Sequence, residues 1–215
     1  MTKLLFQSIV GSRAFELQRD NSDTDVRGVY GATLAETLDP CVPVVAPPNL
    51  ITACGIDVYY HELTHFLELL NRQDGNAWQA LCSRKGLVGT CAQSDLRHLA
   101  LRYILQPEVM LDKAQRSAYT MMQEAERKES GKIAVIAMRN LSFAQCVAGG
   151  TPLYGFNLGK HEQALDSLLG TWNLTEAHIL YNEIRGRHTY LVETEAGHGG
   201  KRRQALLEYY SHYIG

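Results

Sequence analysis

The stretch SIVGSRAFELQRDNSDTDVRGVY, Ser8 to Tyr30, decides how the rest of the chain is read. A short apolar run (Leu4, Leu5, Phe6, Ile9, Val10) leads into Gly11-Ser12, and ten residues further on comes Asp23-Thr24-Asp25-Val26. Alternation puts Asp23 and Asp25 on one face of a strand that opens at the Ser22 turn, about 7 Å apart along it. Carboxylates so placed can share a hard divalent cation through their oxygens. A Gly-Ser pair supplies backbone that can approach a phosphate closely, with a hydroxyl beside it. Cation and phosphate cradle together are the minimum for moving a phosphoryl or nucleotidyl group. Asn21, Asp23 and Asp25 also alternate as calcium-loop ligands do. The sixth and twelfth positions of that loop would be Val26 and Ala32, where Gly and Glu are required, so the calcium loop fails.

Gly11-Ser12, the gap, and Asp23-x-Asp25 followed by an apolar residue together resemble the signature of the DNA polymerase β-type nucleotidyltransferase superfamily. The fuller string GSRAF…NSDTDVRGVY is similar to one branch of it, the predicted nucleotidyltransferases associated with RNA repair in bacteria and large phages. The likeness continues through IDVYYHELTHFLELLNRQDGNAWQAL, Ile56 to Leu81, fades after about Ser83, and returns weakly at Lys132 to Leu141. One residue departs from the branch: glycine usually stands where Glu16 does, which implies a differently shaped loop beside the phosphate. The resemblance implies an NTP donor, Mg²⁺ or Mn²⁺ as cofactor, and pyrophosphate release. It implies Asp23, Asp25 and Asp57 as metal ligands and catalytic residues, with Glu62 as the reserve for the third. An RNA 3′ end is the first acceptor to consider and a protein side chain the second. A catalytically silent binding module on the same fold, such as a phage-type inhibitor, is the rival of a different class.

Across its 215 residues the chain is long enough for a real core, and its 45% hydrophobic and 20% charged residues are ordinary for a globular protein. A net charge of −2 argues against a general nucleic-acid coat but leaves room for a local basic groove. No apolar run is long enough to span a bilayer, and the start lacks a secretory cleavage pattern. Five cysteines without a CxxC pair read as reduced thiols, and hence a cytoplasmic setting in a bacterial cell or phage-infected host.

The expected layout is α/β (α+β): a small mixed-sheet nucleotidyltransferase-type core over residues 1–90, then a helical region over 91–215. Strands are expected at Leu4 to Val10, Thr24 to Gly31 and Gly55 to Tyr59, with a short edge strand through Val42, Val44 and Val45. Leu63, Phe66, Leu67 and Leu70 recur at helical spacing within a helix from His61 to Arg72. Later helices are expected with N-caps at Ser94 and Thr175. His61-Glu62-Leu63-Thr64-His65 matches HExxH, which on a helix can hold zinc for peptide hydrolysis. The extended pattern would need Gly and His where Glu68 and Asn71 stand, so a packing helix is the preferred reading. Arg13 follows Ser12 and is placed to reach nucleotide phosphates, while Arg27 is placed to orient the Asp pair by a salt bridge. Lys132 and Arg139, seven apart, share a helix face that either neutralises a triphosphate or forms a solvated edge. Gly197 to Gly200 reads as a glycine-histidine loop before a final helix, Lys201 to Tyr213, and GHGGKRR as a solvated loop in preference to a contact for RNA or another polyanion.

Overall fold

The computed structural model describes residues 2–19, 22–33, 36, 46–52, 55–150, 161–187 and 191–214. The chain divides into two compact units, the first Met1–Leu105 together with Thr194–Gly215, the second Gln106–Glu193. The expected edge strand at Val42 to Val45 lies outside the described residues.

The first unit is built on a five-stranded mixed sheet. Strand β1 (Lys3–Val10) pairs antiparallel with β2 (Thr24–Gly31), and β2 runs parallel to β4 (Ile56–Glu62). The short strands β3 (Leu50–Ile51) and β5 (Gly86–Val88) close the edges, in the order β3-β4-β2-β1-β5. Between Val10 and Phe15 the chain makes one helical turn, α1 (Gly11–Ala14). The expected third strand is present but longer, because its pairing with β2 runs on through Val29↔His61 and Tyr30↔Glu62.

That extension moves the next helix. Helix α2 spans Leu63–Asn71, two residues later than its apolar periodicity alone predicts, and buries Leu63, Phe66 and Leu70. Phe66 meets Phe6 of β1 edge to face, centroids 5.8 Å apart, which seats the helix on the sheet. A tight turn at Gln73 (φ 56°) leads to α3 (Gly75–Cys82), capped by the Asp74 carboxylate accepting from the Ala77 amide at 2.9 Å. Buried Trp78 donates its indole N–H to the Leu70 carbonyl. Helix α4 (Thr90–Tyr103) starts four residues before the expected cap at Ser94. Gly89, at φ 65°, turns the chain so closely past β1 that a Cβ there would stand 1.7 Å from the Leu5 carbonyl oxygen.

The second unit contains α5 (Pro107–Lys128), α6 (Gly131–Ala148), α7 (Glu162–Gly170) and α8 (Leu174–Arg185). Helix α6 is buried nearly all round, as a central helix must be. Its first residue, Gly131, passes α7 so closely that a Cβ would lie 1.7 Å from the Leu168 carbonyl oxygen. Asn173, rather than Thr175, caps α8 by accepting from the Glu176 amide.

The last helix, α9 (Gly199–Tyr213), belongs to the first unit. Tyr209 donates to the Ala92 carbonyl, Tyr210 to that of Ala32, and Tyr213 to Asp95. Of the GHGGKRR segment, Gly197 lies in a turn and His198 is the N-cap, while Gly199 to Arg203 open the helix, two residues before the expected Lys201; Lys201 pairs with Glu195 at 2.9 Å. The described cysteines, Cys82, Cys91 and Cys146, are free thiols, and burial pushes Cys82 up to about 12. No helix among the described residues is long and apolar enough to cross a membrane.

Candidate active site

Register assembles the site. Parallel pairing sets Asp25 of β2 directly beside Asp57 of β4, at the strand separation of about 4.8 Å. Paired residues share a sheet face, so the two carboxylates stand side by side where both strands begin. Asp23 lies just before β2, its Oδ1 3.1 Å from where a Cβ on Gly55 would be. Carboxylate oxygens are the donors a hard divalent cation takes. Among the described residues, however, no group of three His, Cys, Asp or Glu side chains is gathered closely enough to hold a metal ion. The structure thus brings Asp25 and Asp57 together and leaves Asp23 at the flank, against Gly55.

The Gly-Ser turn meets the same pair. Val10 is the register partner of Asp25, so the chain leaves β1 beside that carboxylate. Gly11 has φ 69°, and a Cβ on it would fall 2.4 Å from Asp25 Oδ2. Only glycine gives both the left-handed backbone and the room. Ser12 follows, its carbonyl accepting from the Phe15 and Leu17 amides. Glu16 takes φ 58°, a conformation glycine adopts freely. The substitution therefore does not reshape the turn away from a glycine-type backbone, as its residue type suggests; Glu16 holds that backbone under strain.

Arg13 is occupied differently from its expected role. Its Nη2 donates to the Ser22 carbonyl at 2.8 Å, tying the turn to the loop before Asp23, and its buried Nε has no partner. Lys85, which no motif marks, meets the turn as well. Its Nζ donates to the Arg13 carbonyl at 2.6 Å and lies 3.9 Å from Glu16 Oε1. Its own carbonyl accepts from the Ile9 amide, so Lys85 binds the end of β1 and the turn together. Nothing in local sequence announces such a residue, because the contact spans 72 positions.

Beyond the carboxylates on the same face come Arg27↔Tyr59 and Val29↔His61. Arg27 sets its guanidinium over the Tyr59 ring, 4.4 Å from the centroid, instead of forming the expected salt bridge to the Asp pair. Burial, then the Arg27 and His65 charges, hold the His61 imidazole below its ordinary value.

The HExxH reading is overturned by the backbone. His61 and Glu62 are strand residues, and only His65 is helical. The Glu62 carboxylate caps α2, accepting from the Thr64 and His65 amides at 2.6 and 3.2 Å. It stands at the far end of β4 from Asp57, which also removes it as the reserve ligand. Lys132 and Arg139 lie on α6 of the second unit, Lys132 exposed and Arg139 half-buried with Nε and Nη2 directed at Asn140 Oδ1.

No curated protein matches the chain. The model of the RNA repair pathway DNA polymerase beta family matches residues 1–135, which hold the whole sheet, the Gly-Ser turn and the carboxylates. Since that match takes in more than half of the sequence, the chain belongs to the RNA repair pathway DNA polymerase beta family.

Proposed function

We propose that this protein is a metal-dependent nucleotidyltransferase that moves a nucleotidyl group from an NTP to an acceptor hydroxyl. The observation that supports it is the in-register pair Asp25 and Asp57 with the Gly11 backbone against the Asp25 carboxylate. An RNA 3′ end is the preferred acceptor, in keeping with the family, and a protein side chain the second. The setting would be the cytoplasm, where NTPs and RNA ends meet.

Asp25 and Asp57 would hold Mg²⁺ or Mn²⁺, with Asp23 at the flank of that pair. The cation, when bound, supplies positive charge that activates the acceptor hydroxyl and offsets charge on the triphosphate. Gly11 lets the turn carry the triphosphate up to the Asp25 carboxylate, and Ser12 offers its amide and hydroxyl to the phosphate oxygens. Arg13 keeps the turn and the Ser22 loop in fixed relation, and its phosphate contact is made through that turn. Asp57 takes the acceptor's proton. The acceptor oxygen forms its bond to the α-phosphorus as the bond to the bridging oxygen breaks, and pyrophosphate leaves with those electrons.

The test is incubation with each labelled NTP in turn, Mg²⁺ or Mn²⁺, and a mixture of RNA and protein acceptors. Labelled acceptor and stoichiometric pyrophosphate are expected. Neither product with any NTP would refute the assignment.

A further inference from the structure

Arg27 carries a feature that transfer chemistry at Asp25 and Asp57 does not account for. Among the described residues its guanidinium forms no ion pair and donates no hydrogen bond; its described partner is the Tyr59 ring, 4.4 Å away. Arg27 is half-buried, yet none of its guanidinium nitrogens is sealed from solvent, and stacking on a ring face uses none of its N–H groups, so they stay open to a ligand. Stacking does fix the plane, leaving the fork of donors at its edge. The candidate partners nearby are already committed or wrong in sign. Ser8, its register neighbour on β1, turns its buried hydroxyl to the Ala80 carbonyl and accepts no hydrogen bond from Arg27. His61, next along the face, is held towards its neutral form and brings no negative charge.

Position adds the rest. Arg27 and Tyr59 are each two residues on from Asp25 and Asp57, so the two residue pairs are about 7 Å apart along the strands on one face. We propose that Arg27, braced on Tyr59, is an anion-binding residue that takes a phosphate group beside the Asp25–Asp57 pair. The proposal rests on the nucleotidyl-transfer reading for what brings the phosphate there. That phosphate belongs either to the NTP donor or to the backbone of the RNA acceptor. A planar fork suits the paired oxygens of a phosphate, which is why an ammonium in its place would serve less well.

The test measures equilibrium binding of a fluorescent NTP with Mg²⁺, and of a labelled single-stranded RNA with a free 3′ hydroxyl. It compares wild type, Arg27→Met, Arg27→Lys and Tyr59→Leu, with thermal melts to verify folding. Arg27→Met is expected to weaken one ligand about 10- to 100-fold, with Arg27→Lys and Tyr59→Leu in between. Loss confined to the NTP identifies a donor phosphate. Loss confined to RNA, with a salt slope lower by about 1, identifies an acceptor phosphate. A folded Arg27→Met that binds both as wild type does, or a wild type that binds neither, overturns the proposal. Should Arg27→Met not fold, Arg27→Lys decides, since unchanged binding there has the same consequence. Wild-type transfer assayed in parallel separates the two readings. Arg27-dependent binding without transfer leaves the anion site standing and removes the reaction. Transfer with binding indifferent to Arg27 does the reverse.

Discussion

Glu16 holds, at φ 58°, a backbone conformation that costs an L-residue about 1–2 kcal/mol. Its contact with Lys85 returns little, because the side chains are 74% and 37% exposed and 3.9 Å apart. Glu16→Gly is therefore expected to stabilise the protein by about 1 kcal/mol, less the entropy glycine adds to the unfolded chain, as urea titration would register. Unchanged or lower stability would mean that the strain is relieved by something other than φ. Asp25 makes the opposite case, a residue kept at some cost to stability. It stands beside Asp57 with like charge, and such cross-strand pairs destabilise. Asp25→Asn is expected to melt at the wild-type temperature or above it while transfer falls about 10³-fold or more. Retained transfer, or a variant that does not fold, would make the pair structural. His61 contributes a pH dependence just below neutrality. Its folded-state pKa lies below the ordinary 6.5, so its neutral form contributes stability that is complete above about 6.5. That contribution is lost as pH falls from about 6.5 through the lower folded value, the window in which the unfolded chain holds the extra proton. In His61→Gln, melting temperature should fall less steeply than in wild type between pH 6.5 and 5. At this scale Asp25 and Asp57 were legible as partners through the family resemblance together with the strand pattern around each. Lys85 and the Arg27–Tyr59 stack were not, since each depends on register between distant segments.

Helix α2 shows why element boundaries were read less well than elements. Its apolar spacing was plain, yet periodicity cannot tell where a helix yields to a strand that precedes it. The β2–β4 ladder, continued through Tyr30↔Glu62, claims His61 and Glu62 and leaves Glu62 as the cap. Sheet pairing overrides helical propensity there, and HExxH loses its helical frame with it. Glu62→Ala should cost about 1 kcal/mol by thermal melt, the usual loss for a capping acceptor. Metal analysis should find zinc well below stoichiometric in both wild type and variant. Stoichiometric zinc that disappears with Glu62 or His65 would reinstate the motif. The same limit explains Ser94 and Thr175, good capping residues passed over because Gly89 and Asn173 turn the chain earlier.

On the scale of the whole chain, the sheet with its helices and the later run of helices were both legible from pattern. What pattern did not reveal is that the last helix returns to the first unit. Its polar hydroxyls reach carbonyls more than 100 positions away, a pairing no local periodicity encodes. Close backbone approaches are now testable in each unit separately. Gly131→Ala should destabilise the second unit by at least 2 kcal/mol, since α6 and α7 must part to admit the methyl group. Hydrogen exchange should quicken across Pro107–Arg185 while the strand amides of β1, β2 and β4 stay protected. Uniform loss of protection would show that the units melt as one. The discontinuous first unit also sets an order of events during synthesis. Its sheet and α4 leave the ribosome first, but Tyr209, Tyr210 and Ile214 arrive only after residues 106–193 have been made, on the order of 10 s later. For that interval the Ala32 and Ala92 carbonyls lack the tyrosines that seal them, and Gly31 lacks the Ile214 side chain that packs against it. A nascent chain stalled near residue 193 would expose that surface to chaperones, and the carboxylate pair would wait on the last 22 residues for a finished scaffold.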